Sequence, residues 1–133
     1  ALLSVKLKYL DNEIQHRKLI ADIYLNNIKT NLILLPQINS QKASENEEHV
    51  WHLFVIRTQH REQLQKHLHN QGIQTLIHYP IPPHKQAAYI EFQNISLPTT
   101  EIIHKEILSL PLSPTMSADD CYRVINAVNT LSL

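Results

Sequence analysis

Apolar residues near the start of the chain recur at three- and four-residue steps: Leu3, Leu7, Leu10, Ile14, Ala21, Leu25 and Ile28. One gap in the series is filled by Arg17 and Lys18. That period predicts an amphipathic helix from about Leu2 to Ile28, roughly 40 Å long at about 1.5 Å per residue. Such a helix exceeds what a small domain needs, so it is expected to connect this domain to another body. Asn26, Asn27, Thr30 and Asn31 weaken the pattern and end it. A short extended segment, Leu32 to Leu35, stops at Pro36, and the polar run from Asn39 to Glu48 reads as a tolerant surface loop.

Val50-Trp51-His52-Leu53-Phe54-Val55-Ile56-Arg57 is apolar on both faces, which predicts a covered central strand with His52 buried inside it. Thr58 is placed to cap the next helix. Leu64 and Leu68 form its inner side, Glu62 and Lys66 an i,i+4 pair on its outer side, and His60, His67 and His69 face water. Gly72 follows where a helix end wants a left-handed residue. Ile73 to Tyr79 alternates enough for another strand. Lys85 to Glu91 suits a short helix, and Pro98-Thr99-Thr100-Glu101 starts one that runs through Ile103 and Ile107. Leu108 to Leu112 suits an edge strand, because it contains Pro111. Ser117 caps a last helix with Asp119 and Asp120 in its first turn and Cys121, Val124, Ile125 and Val128 as its inner stripe. The architecture expected is α/β: a long first helix, a sheet of about three strands and helices packed on it.

Composition narrows the function. The chain has 133 residues, enough for one domain with its own core. Its formal net charge is zero with histidine neutral, which removes the basic excess expected of a nucleic-acid binder. No apolar run reaches the roughly 18 residues of a membrane span. One cysteine, Cys121, leaves no internal disulfide and fits a reducing, cytoplasmic setting. The single glycine excludes glycine-rich phosphate loops. Helical periodicity begins at once without a leading Met or a signal-peptide pattern, so the chain is expected to start inside a larger protein.

Candidate chemistry concentrates in His78-Tyr79-Pro80-Ile81-Pro82-Pro83-His84. Each proline fixes φ and removes a donor, and each residue before a proline is driven out of the helical region. The loop is therefore stiff, and holding a ligand would cost it little entropy. Elsewhere no catalytic set is visible. His49 and His52 point to opposite faces of a strand and make a poor metal pair, and no Cys or carboxylate cluster completes a tetrahedral set. Cys121 reads as a core residue, and Lys85 and Lys105 sit in polar surroundings.

Taken together, His49 to Arg57, Gly72 to Tyr89 and Leu108 to Leu112 resemble the C-terminal part of the DegT/DnrJ/EryC1/StrS family. These are pyridoxal-phosphate-dependent aminotransferases of nucleotide-linked sugars, with the aspartate aminotransferase type of fold. The opening Ala1 to Asp11 resembles the helix that leaves the family's large domain. The stretch His78 to His84 is most similar to transaminases of dTDP-linked 3-keto-6-deoxyhexoses. Residues 1–30 would then be the connecting helix and 31–133 the small domain.

The resemblance implies an amino group passed from a donor such as glutamate to a keto-sugar. The cofactor would be held by a lysine and phosphate contacts in the large domain, upstream of Ala1, so this chain would be inactive alone. His78, Tyr79 and His84 would contact the sugar nucleotide near the interface of a homodimer, and no residue here is assigned chemistry. Lys85-Gln86 stands where the family more often has Leu-Gln, and Ala88 where proline is common. The competing expectations are a non-catalytic interaction or dimerisation module built on the long helix, and a histidine metal site.

Overall fold

Strand β1, Phe54–Arg57, and strand β2, Ile107–Leu110, form an antiparallel pair at the centre of the computed structural model, which describes residues 2–132. Phe54 lies opposite Leu110 and Arg57 opposite Ile107. Each outer edge is met by a single residue. Leu34 exchanges both backbone hydrogen bonds with Arg57, at 2.8 and 3.0 Å, and Leu76 exchanges both with Ser109, at 3.4 and 2.8 Å. The spatial order is thus Leu34, β1, β2, Leu76. The expected third strand over 73–79 is reduced to that one bridge. Pro80, Pro82 and Pro83 follow it and supply no further N–H donors.

Covering differs from expectation in the same way. β2 is buried along its whole length and lies inside the layer, although it was expected at an edge. β1 alternates between buried and half-buried. It also begins four residues later than the apolar run, because Trp51 has φ of 51° and turns the pleat aside. Trp51 still packs into the core against Phe54, with ring centroids 5.5 Å apart. His52, expected to be buried, is left on the surface by that turn.

The first helix is broken. α1, Leu2–Leu7, ends in a turn where Lys8 and Tyr9 donate to the carbonyls of Val5 and Lys6, and α2, Leu10–Asn27, starts anew. No glycine or proline marks this break. Ala1, the first residue of the expected connector, lies outside the described residues, as does Leu133. The apolar stripe behaves in two halves. Ile20, Ala21, Tyr24 and Ile28 enter the core, whereas Leu3, Leu7 and Leu10 are exposed. Lys18, in the gap of the stripe, is itself buried.

Asp22 anchors the polar segment that was expected to be a free surface loop. Its carboxylate accepts the backbone N–H groups of Ala43 and Ser44 at a 3-10 turn, Ala43–Glu45, and Ala43 is fully enclosed. Two further helices close the core. α3, Arg61–Asn70, buries Leu64 and Leu68. Thr58, expected to cap it, does not: the N-cap is His60, without a side-chain cap bond, and the Thr58 hydroxyl accepts from the His60 N–H and donates to the Leu32 carbonyl. At its end Gly72, φ 74°, donates to the His69 carbonyl while Ile73 donates to that of Leu68, both at 2.9 Å. This is the Schellman pattern, with Ile73 and Leu68 as its apolar contact. His67 is half-buried and within 2.9 Å of the Ala127 carbonyl, so it joins α3 to the last helix instead of facing water.

α5, Ala118–Asn129, carries both halves of a capping box: the Ser117 hydroxyl accepts from the Asp120 N–H, and the Asp120 carboxylate accepts from the Ser117 N–H. Its inner stripe of Cys121, Val124, Ile125 and Val128 is buried as expected. Cys121 is a core residue, and burial pushes its thiol pKa up, with the Asp120 charge adding to the effect.

Candidate functional site

The proline-rich loop leaves the sheet at Leu76 and returns to the fold at α4, Pro98–Glu106. Its first end is tied to β2. His78 is half-buried, and its Nδ1 lies 2.9 Å from the hydroxyl of Ser109, itself buried. The His78–Tyr79 peptide is cis. The two rings meet edge to face, 6.0 Å apart. Tyr79 turns its phenol outward at 68% exposure, and its hydroxyl has no hydrogen-bond partner among the described residues. Its backbone carbonyl accepts a 2.6 Å hydrogen bond from Nδ1 of His104 on α4.

The second end of the loop is tied differently. Pro83–Lys85 forms a 3-10 turn that points His84 inward, leaving it 6% exposed. Its Nε2 sits 3.1 Å from the Glu101 carboxylate near the start of α4. The same carboxylate oxygen accepts the Leu97 N–H at 3.1 Å. That backbone bond, then the His84 contact, holds the Glu101 carboxyl below the usual glutamate range. Lys85 spans the arm beyond, donating to the carbonyls of Gln93 at 2.6 Å and Ile95 at 3.0 Å.

The helix expected over 85–91 is a 3-10 segment, Ala87–Phe92, kinked at Tyr89. Tyr89 and Phe92 stack 6.2 Å apart and, with Pro83, His84, Leu97 and Thr100, line an open hollow of about 430 Å³.

Sequence reasoning gave His78, Tyr79 and His84 one role. The structure brings His78 and Tyr79 together and sets His84 apart, buried and engaged. It also adds three residues to the site. Ser109 had a signal: it is the lone polar residue in an apolar strand. Glu101 had one too, in the first turn of a helix opened by Pro98. His104 had none, since its partner is a backbone carbonyl 25 residues away. Among the described residues, no three histidine, cysteine or acidic side chains come together as a metal site, and no helix is long and apolar enough to cross a membrane.

Residues 1–129 match the DegT/DnrJ/EryC1/StrS aminotransferase family. Among curated relatives, a dTDP-3-amino-3,6-dideoxy-alpha-D-galactopyranose transaminase of Aneurinibacillus thermoaerophilus is 54% identical over 129 residues, covering 97% of this chain and 34% of that protein. A dTDP-3-amino-3,4,6-trideoxy-alpha-D-glucose transaminase of Streptomyces venezuelae is 38% identical over 96% of this chain and 33% of its own length.

Among solved structures, S. venezuelae DesV in complex with a ketimine intermediate superposes with a TM-score of 0.84 at 36% identity, over 96% of this chain and 34% of that one. A family aminotransferase from Brucella abortus does so with a TM-score of 0.81 at 29% identity, over 95% of this chain and 33% of that one. The chain thus spans about one third of the length of the relatives it matches.

Proposed function

The chain belongs to the DegT/DnrJ/EryC1/StrS aminotransferase family, and from that membership we propose that it is the C-terminal part of a pyridoxal-phosphate-dependent sugar-nucleotide transaminase. The reaction proposed is amino transfer, from a donor such as glutamate, to a dTDP-linked keto-6-deoxyhexose. The observation that carries the reading is 54% identity across nearly the whole chain to a transaminase of that substrate class. Residues 1–30 act as the connecting segment, which carries α1 and α2, and 31–133 as the small domain of a homodimeric cytoplasmic enzyme.

The cofactor, when bound, withdraws electrons from the carbon that gains or loses the amine. Two features of this chain support a cofactor site that lies elsewhere. The Lys85 amine is engaged by two carbonyls, and the single glycine closes α3. We place the cofactor lysine and the phosphate cradle outside residues 1–133, and expect this chain alone to bind no cofactor and to be inactive.

Within the chain, the His78 imidazole and the Tyr79 phenol present hydrogen-bonding groups to the sugar nucleotide. Two features support this: both belong to a stiff loop, and the phenol is exposed and unpartnered. His84 holds the far end of the loop through Glu101, and this sets the angle at which Tyr79 is presented.

The full-length protein supplied with pyridoxal phosphate should develop a visible absorption band and transfer an amino group from glutamate to a dTDP-3-keto-6-deoxyhexose. Loss of both behaviours overturns the enzyme reading and leaves an interaction module. His78→Ala should lower kcat/KM about tenfold, the scale of one hydrogen bond to substrate.

A further inference from the structure

We infer that Ser109 is a positioning residue: its hydroxyl donates to Nδ1 of His78 and fixes the imidazole as the tautomer that carries its proton on Nε2. Ser109 is 5% exposed on β2, and its backbone N–H and C=O are both committed to Leu76. Its hydroxyl has one partner among the described residues, His78 Nδ1 at 2.9 Å. A buried hydroxyl proton needs an acceptor. Nδ1 is the one present, so it must offer its lone pair, and the ring proton must sit on Nε2. The loop then presents a fixed N–H donor.

A fixed donor selects an acceptor on the ligand, such as a carbonyl, hydroxyl or phosphate oxygen, and rejects an ammonium at the same place. The inference rests on the proposal that His78 touches the sugar nucleotide. The ring also meets that of Tyr79 at a right angle, 6.0 Å between centroids, and the Tyr79 carbonyl is in turn held by His104.

Nitrogen-15 NMR of the full-length protein above pH 7 reads the tautomer directly, with the His78 signals assigned by their loss in His78→Ala. The wild type should show Nε2 protonated. Ser109→Ala should show a mixture of both tautomers, and Ser109→Thr, which keeps a hydroxyl, should restore the single form. Affinity for dTDP-3-amino-3,6-dideoxygalactose should fall about fivefold in Ser109→Ala, one lost neutral hydrogen bond's worth of orientation, and return in Ser109→Thr.

A wild-type spectrum with the proton on Nδ1 overturns the inference, and this needs no variant to fold. So does unchanged affinity in Ser109→Ala when His78→Ala binds more weakly. Unchanged affinity in His78→Ala overturns the substrate-contact reading instead, and the wild-type spectrum then decides the tautomer alone.

Discussion

The stripe on α5 and the stripe at the front of the chain look alike in sequence, and the fold treats them oppositely. Cys121, Val124, Ile125 and Val128 repeat at helical spacing and are buried against α2 and α3. Leu3, Leu7 and Leu10 repeat at the same spacing, yet Leu3 is 80% and Leu7 65% exposed. Helix ends separate them too. A complete capping box starts α5, whereas no side chain caps α2 and a turn at Lys8 and Tyr9 cuts it from α1. An apolar stripe records that a helix is built to be covered; it does not say that the cover lies within the same stretch of chain. The proline arm repeats the lesson, since Tyr89, Ile90, Phe92 and Ile95 are all exposed.

The contrast breaks most visibly at the covered side. Leu64→Ala removes a fully enclosed side chain on α3 and should cost about 2–5 kcal/mol in urea unfolding, transfer and cavity terms together. Leu7→Ser, at an exposed position, should stay within about 0.5 kcal/mol in residues 1–133. If the same change destabilises the full-length protein by more than that, the front stripe is covered there, and the comparison sharpens into one of two covers.

Gly72→Ala comes next. The added Cβ would meet nothing within 4 Å, so the cost is the left-handed backbone alone, about 1–2 kcal/mol by chemical denaturation. A neutral result would mean that α3 is not held by its C-terminal turn. Ser117→Ala removes the cap of the covered stripe and should cost about 1 kcal/mol, again by denaturation.

The smallest effect is acid sensitivity at the two helix starts. Ser117, first through its hydroxyl and then through its N–H, holds the Asp120 carboxyl below its ordinary range, and the Leu97 N–H and His84 do the same for Glu101. Both pKa values are lower folded than unfolded. Their contributions are therefore present above the ordinary carboxylate values and fade as pH falls through the depressed ones. Glu101→Gln should flatten part of that acid limb in a pH titration of stability. It should also speed amide exchange across 84–97, and an unchanged exchange map would remove Glu101 as the anchor of the arm.

Local chemistry was legible wherever one residue type settles a conformation. Gly72 closes α3, Ser117 with Asp120 opens α5, Pro98 opens α4, and the prolines at 80, 82 and 83 exclude regular structure between them. Those effects act within a turn of chain, so the sequence carries them whole. The resemblance to a family of sugar aminotransferases was legible too, through the combination of three stretches, 49–57, 72–89 and 108–112.

Long-range decisions were not legible. His52 is outside because Trp51 turns the strand, β2 is interior because Leu76 bridges its far edge, and His84 faces inward because Glu101, 17 residues away, is there to receive it. In each case the outcome depends on a partner distant in sequence, and hydrophobic periodicity holds no information about which partner arrives. Sequence alone determined which segments are stiff, capped or apolar. Tertiary packing alone decided which apolar faces are covered and which nitrogen of His78 is held, because burial and hydrogen bonding are properties of pairs.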